Sequence, residues 1–184
     1  MKYPKEVVLK DGTEALIRPL ESGDEAMLRQ FFSKVPEDDR WYMKYDVMEP
    51  GVLKEWFGKL ETDRVFATVA VSSEQIIGHG SLHMDEFGCT KHIGRLRVTV
   101  MPEFRHKRMG TWMLLDLIRI AMDRGLEELR SDFVVGVEDA AIDAAYKLDF
   151  FTRAVLEEYV VGPTGERFDL MIMTKRLHKG WSDF

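Results

Sequence analysis

The tightest constraint on this chain lies over residues 96–125. Leu96, Val98 and Val100 alternate with Arg97 and Thr99, the two-residue period of a strand with one face on a core. Pro102 ends that ladder because it has no N–H to donate. A basic loop follows, with Arg105, His106, Lys107 and Arg108, and then Gly110. Met113, Leu114, Leu117, Ile118 and Ala121 recur at helical spacing, and Gly125 supplies the stop. Residues 129–137 read as the next strand. A helix between two such strands is a crossover, so the strands are expected to lie parallel.

The rest of the chain adds antiparallel elements. Residues 13–20 read as a first strand, with Ser22 or Asp24 as the cap of a helix carrying Met27, Leu28, Phe31 and Phe32. Residues 36–46 open on acids and hold Trp41, Tyr42 and Tyr45; residues 50–60 form a further helix with Trp56 and Phe57. Residues 64–71 and 76–83 pair across a turn at 72–75. Glu138 and Asp139 cap a helix over 140–148. Residues 155–161 and 167–175 close a hairpin on Gly162-Pro163-Thr164-Gly165. The pattern implies an α/β (α+β) fold: a mixed, mostly antiparallel central sheet of six or seven strands with helices on both faces. With 184 residues, 45% hydrophobic and 32% charged, and no repeat or shift in composition, one domain over 1–184 is expected.

Composition also limits function. The net charge of −6 argues against nucleic acid as a partner. No apolar run approaches the roughly 18 residues of a membrane span, and the amino terminus has no signal-peptide pattern. A single cysteine, Cys89, permits no internal disulfide, so a cytoplasmic setting is expected. His79 and His83 share a strand face, but only His92, Asp85 and Cys89 lie near, and no metal is assigned. The strand-to-helix junction gathers unpaired backbone N–H groups and the positive end of a helix dipole. That favours a phosphate or pyrophosphate. The competing reading is a basic surface turn that binds nothing.

Val100-Met101-Pro102, Arg105 and Gly110 resemble motif A of the GNAT superfamily of acyl-CoA-dependent N-acetyltransferases, a strand ending V-x-P that leads into R/Q-x-x-G-x-G/A and a helix. Arg108 stands where the family has its first glycine, and His106 replaces another common one. The resemblance implies that successive N–H groups of Arg105, His106, Lys107, Arg108, Met109, Gly110 and Thr111 wrap the pyrophosphate of coenzyme A, with Val98 and Val100 on the strand also in contact. Arg108 either aids phosphate binding or fills the site.

The segment 138–150 is similar to the family's second coenzyme motif, N-x-A-A-I-x-L-Y-E-K-L-G-F. Glu138 falls on its Asn, Asp149 on its Gly and Ala145 on its Tyr, with Tyr146 one residue late. That tyrosine protonates the departing thiolate in many members, so Tyr146 is the candidate acid; an ordinary helix tyrosine is the alternative. Residues 169–177 resemble the family's last strand and Ile17-Arg18-Pro19-Leu20 its first, and the resemblance implies a GNAT-like sheet whose parallel pair, here residues 94–100 and 129–137, is splayed at its carboxyl end. The family's glutamate base aligns with Arg95, which leaves Asp85, Glu86, His83 or water. The loop over 85–92 and the aromatic segment over 36–60 are candidate acceptor regions. The implied activity is transfer of an acetyl or short acyl group from acetyl-CoA, the co-substrate, to a primary amine of a small molecule or protein lysine. Stand-alone GNAT domains and those attached to acyl-CoA synthetase-like proteins look similar. A catalytically weak acyl-CoA-binding sensor or interaction module is the other reading. A homodimer is left open.

Overall fold

The computed structural model describes residues 3–43, 45–60 and 64–177. The strands are β1 (Lys5–Val8), β2 (Glu14–Pro19), β3 (Val65–Ser72), β4 (Gln75–His83), β5 (Ile93–Val100), β6 (Glu128–Val134), β7 (Phe151–Val161) and β8 (Arg167–Arg176). The helices are α1 (Glu25–Lys34), α2 (Glu37–Trp41), α3 (Pro50–Leu60), α4 (Met109–Asp123) and α5 (Asp139–Tyr146). The strands form one mostly antiparallel sheet in the order β1-β2-β3-β4-β5-β6-β8-β7, with β5 and β6 as the parallel pair. The sequence pattern implied six or seven strands. The additional one is β1, whose four residues are too few to show a period and which is held by its ladder with β2, Lys5 opposite Ile17 through Val8 opposite Glu14.

The chain packs as two compact units, the first made of residues up to Ser81 with Val98–Leu114, the second of Leu82–Arg97 with the residues from Leu115 on. The expected single domain over 1–184 extends past the described residues at both ends.

In the first unit α1 buries Leu28, Phe31 and Phe32, spaced three and four apart, against Ile17, Leu53, Val69 and Ile77. Met101, Met109 and Met113 join the same core. Asp24 does not cap α1 with its side chain. Its carboxylate is turned back to accept the Arg18 guanidinium at 2.6 and 2.7 Å and the Glu21 N–H at 2.9 Å. The hairpin between β3 and β4 is tighter than the four-residue turn expected, because Ser73 and Glu74 both take left-handed φ values of 48° and 60°.

In the second unit the β5–β6 ladder runs from Ile93 opposite Glu128 to Arg95 opposite Arg130. Main-chain pairing stops there, although β6 continues to Val134; Ser131 Oγ then donates to the Leu96 carbonyl at 3.1 Å. The strands are parallel, as a crossover helix requires. Gly94 is needed at their start: a Cβ there would lie 2.6 Å from Leu82 Cδ1 and 2.7 Å from Leu126 Cδ1. β6 ends three residues before the expected Val137, since Gly136 turns the chain with φ 84° and the Glu138 N–H returns to the Val134 carbonyl at 2.9 Å. α5 stops at Tyr146 instead of 148. Asp149 takes φ 59°, and the Phe150 N–H reaches the Ala145 carbonyl at 3.1 Å, a left-handed helix stop made without glycine.

Candidate functional site

In the first unit, β5 hands over to α4 through one 3-10 turn, Pro102–Phe104, fixed at its entry by the Met101 N–H on the Ile77 carbonyl at 3.0 Å. His106 and Arg108 then adopt left-handed φ values of 59° and 72°. These are two positions where the resembling motif has glycine, and each costs a residue with a Cβ about 1–2 kcal/mol. The chain therefore keeps a glycine-type turn without the glycines.

Two of the loop's four basic side chains hold it together. Arg105 Nε donates to the Val100 carbonyl at 3.0 Å and its Nη2 to Asp39 at 2.5 Å. Lys107 Nζ lies 2.8 Å from Asp11 and 5.3 Å from the Phe104 ring centroid, while its carbonyl accepts the Lys10 N–H at 3.1 Å. Lys107 and Thr13 hold the Asp11 carboxyl down to about 2. His106 and Arg108 are exposed, and among the described residues their side chains have no partner.

The backbone is left open over the same stretch. Among the described residues, the N–H groups of His106, Lys107, Arg108, Met109, Gly110 and Thr111 reach no acceptor in the chain; the Trp112 N–H on the Arg108 carbonyl at 3.1 Å is the first bond of the helix. A run of free N–H groups at the head of a long helix, beside an unpaired guanidinium, can hold an anion. A Cβ at Gly110 would meet only Val100 Cγ2, at 3.7 Å, so packing within the chain does not demand glycine there.

In the second unit, Glu138 stands at the head of α5. One carboxylate oxygen accepts the Val134 N–H at 2.9 Å and the other accepts Arg97 Nη2 at 3.2 Å. Ile142 and Ala145 are buried and set the rotation of α5, which leaves Tyr146 half exposed. Its hydroxyl shares a hydrogen bond of 2.6 Å with Thr152 Oγ1 on β7 and lies 3.9 Å from Met171 Sδ. Asp85 accepts Arg95 at 3.0 Å. The loop over 85–92 is tied through His92, whose carbonyl accepts the Glu127 and Glu128 N–H groups at 2.9 and 3.3 Å. It therefore adjoins the amino-terminal end of the parallel pair, away from the end where pairing stops.

His79 is buried in the first unit against the rings of Phe32 and Trp56, with centroids 5.7 and 4.7 Å away. Among the described residues no group of three or more His, Cys, Asp or Glu could hold a metal ion. Sequence reasoning did not single out Asp39, Glu138's grip on Arg97, or Thr152. Each is a partner distant in sequence, for which one chain offers no local signal.

A model of the acetyltransferase (GNAT) family matches residues 25–150. That is more than half of the chain, and the chain belongs to this family, whose co-substrate is acetyl-CoA. Solved structures share its fold. The ribosomal-protein-alanine N-acetyltransferase of Brucella melitensis superposes with a TM-score of 0.76 at 22% identity, over 88% of this chain and 99% of that one. The GNAT domain of S. lividans PAT gives 0.78 at 14% identity, over 96% and 100%. A phosphinothricin acetyltransferase from Sinorhizobium meliloti, solved in complex with acetyl-CoA, gives 0.75 at 15% identity, over 91% of each chain.

Proposed function

We propose that this chain transfers an acetyl or short acyl group from acetyl-CoA to a primary amine, on a small molecule or a protein lysine, by direct sequential transfer. The observation that carries the reading is the run of unengaged N–H groups from His106 to Thr111 at the head of α4, in a chain of the acetyltransferase family. Pyrophosphate is the anion such a run suits, and Arg108 adds a charge-assisted contact. In the transfer, the neutral amine attacks the thioester carbon, a C–N bond forms and the C–S bond breaks. A backbone N–H near Val98 and Val100 stabilises the oxyanion; the amine gives up a proton to solvent or a base, and the thiolate takes one from an acid. Tyr146 is the proposed acid, acting with its hydroxyl on Thr152. Among the described residues no helix is long and apolar enough to cross a membrane; the single cysteine is the ground on which we place the activity in the cytoplasm.

One observation favours the second reading, binding without turnover: Arg95 stands at the family's base position and is occupied by Asp85. Thermal shifts with acetyl-CoA, a longer acyl-CoA, ATP and NAD, followed by a free-thiol assay over an amine panel, test both. Acyl-CoAs alone should raise the melting temperature, and thiol should appear only with amine. A larger shift with ATP or NAD overturns the reading. A shift without thiol release selects the sensor.

A further inference from the structure

We propose that Arg97 binds a carboxylate carried by the acceptor, so that amines with an anionic group near the reacting nitrogen are preferred. The inference rests on the acetyltransferase reading above. Its ground is the unusual state of this arginine. Arg130 meets Asp132 with Nε and Nη2 at 2.7 and 2.9 Å, Arg18 meets Asp24 with two nitrogens at 2.6 and 2.7 Å, and Arg105 engages both its Nε and Nη2. Among the described residues Arg97 makes one side-chain bond, at 3.2 Å, and its Nε is buried with no acceptor. A guanidinium has five donors in a rigid fork, and buried donors are normally satisfied. Here the chain holds a fork that it does not fill.

Placement agrees with a role toward substrate. Arg97 follows the last main-chain pair of β5 and β6, Arg95 with Arg130, by two residues. It lies on β5, the strand that also carries Val98 and Val100. Its side chain is 35% exposed, so a ligand can approach the guanidinium from its exposed side, although Nε itself is shut off from solvent. Glu138 is not a loose counter-ion, because its second oxygen is fixed on the Val134 N–H at 2.9 Å. It can balance the arginine while the site is empty and keep it in position when a carboxylate arrives. An arginine fork, unlike an ammonium, matches a carboxylate with two parallel bonds.

The same chemistry could come from a free amino acid or from an acidic side chain beside a protein lysine. Initial rates with saturating acetyl-CoA separate the two. One arm compares free amino acids with their carboxamides; the other compares lysine peptides carrying Glu or Gln next to the lysine. In one arm the carboxylate should raise kcat/KM about ten- to hundredfold, through KM, the range of a charged hydrogen bond. Arg97→Gln should erase that preference while neutral acceptors keep their rate. Should Arg97→Gln fail to fold, Arg97→Lys is expected to lose most of the preference, since it keeps the charge and removes the fork. Equal use of carboxylate and neutral acceptors in both arms overturns the inference, as does equal slowing of both by either variant. Absence of any acetyl-CoA binding or transfer would instead overturn the enzymatic reading, and this inference with it.

Discussion

Asp39 provides a test in which the sign of the effect, not only its size, separates two accounts of the basic loop. If Arg105 serves the coenzyme by charge, removing the acid beside it should leave the loop more positive and tighten acetyl-CoA binding. The structure instead has Asp39 and the Val100 carbonyl holding the arginine, at 2.5 and 3.0 Å, so that Arg105 shapes the turn. A charged hydrogen bond contributes about 1.5–3 kcal/mol when desolvated and an exposed ion pair about 0.2–1 kcal/mol. With the two side chains 37% and 32% exposed, the pair falls between those ranges, at about 1 kcal/mol after screening. The bond to Val100 adds about 1 kcal/mol. Arg105→Ala should then cost about 2 kcal/mol and Asp39→Ala about 1 kcal/mol, or melting temperatures lower by roughly 4–8 and 2–4 °C for a chain of this size. The double variant should be little worse than Arg105→Ala alone. Calorimetric titration of acetyl-CoA into all four proteins completes the cycle. Both single variants should bind more weakly, because a loosened loop spends less time in the binding conformation. Tighter binding by Asp39→Ala, or full additivity in the melting temperatures, would refute the reasoning.

Arg108→Gly should leave the melting temperature of the free protein within a few degrees, since relief of a φ of 72° and the entropy of an added glycine are both about 1 kcal/mol and oppose each other. Its acetyl-CoA affinity should fall by about 1.5–3 kcal/mol, less in high salt; tighter binding would mean that the side chain obstructs the site. Tyr146→Phe should lower turnover roughly 10²- to 10⁴-fold with acetyl-CoA affinity unchanged if it is the acid, and an unaltered rate removes it from the mechanism. Arg18 holds the Asp24 carboxyl below the usual carboxylate range, against the opposing effect of burial. A depressed folded-state pKa stabilises the protein above the ordinary value and is lost as pH falls through the depressed one. Denaturant titrations from roughly pH 5 downward should show a smaller loss in Asp24→Asn than in the wild type, the remainder coming from other depressed carboxyls such as Asp11.

The elements legible in the sequence are those whose cause is local. Pro102 stops β5, Gly125 stops α4, and the turn at 162–165 closes the last hairpin, because each acts through its own backbone geometry. The loop after Pro102 was legible in position and only half legible in chemistry. The sequence assigns the anion to backbone N–H groups from Arg105 to Thr111, and nothing local foretells that Arg105 and Lys107 are taken by Asp39 and Asp11, acids brought in by α2 and by the turn after β1. Such pairing is a tertiary fact. The replaced glycines do not abolish the turns: His106, Arg108 and Asp149 all adopt left-handed conformations, so the geometry survives at a local cost that the surrounding bonds must offset.

The tyrosine displaced by one position shows where alignment and geometry part. On a helix one residue is about 100° of rotation. Were α5 turned to put residue 146 where the family's tyrosine stands, Ile142 and Ala145 would both leave the core they now occupy at 7% and 1% exposure. Burying those two side chains outweighs placing one hydroxyl, so the helix keeps its apolar face inward and Tyr146 meets Thr152 on β7 instead. An acid at Tyr146 must therefore work from that position, with Thr152 as its hydrogen-bond partner. Thr152→Val then discriminates. It removes the partner of the phenol and preserves the shape, so it should slow transfer if the pair delivers the proton. It should leave the rate unchanged if Tyr146 is only a surface residue of α5, and acetyl-CoA affinity should be unaffected in either case.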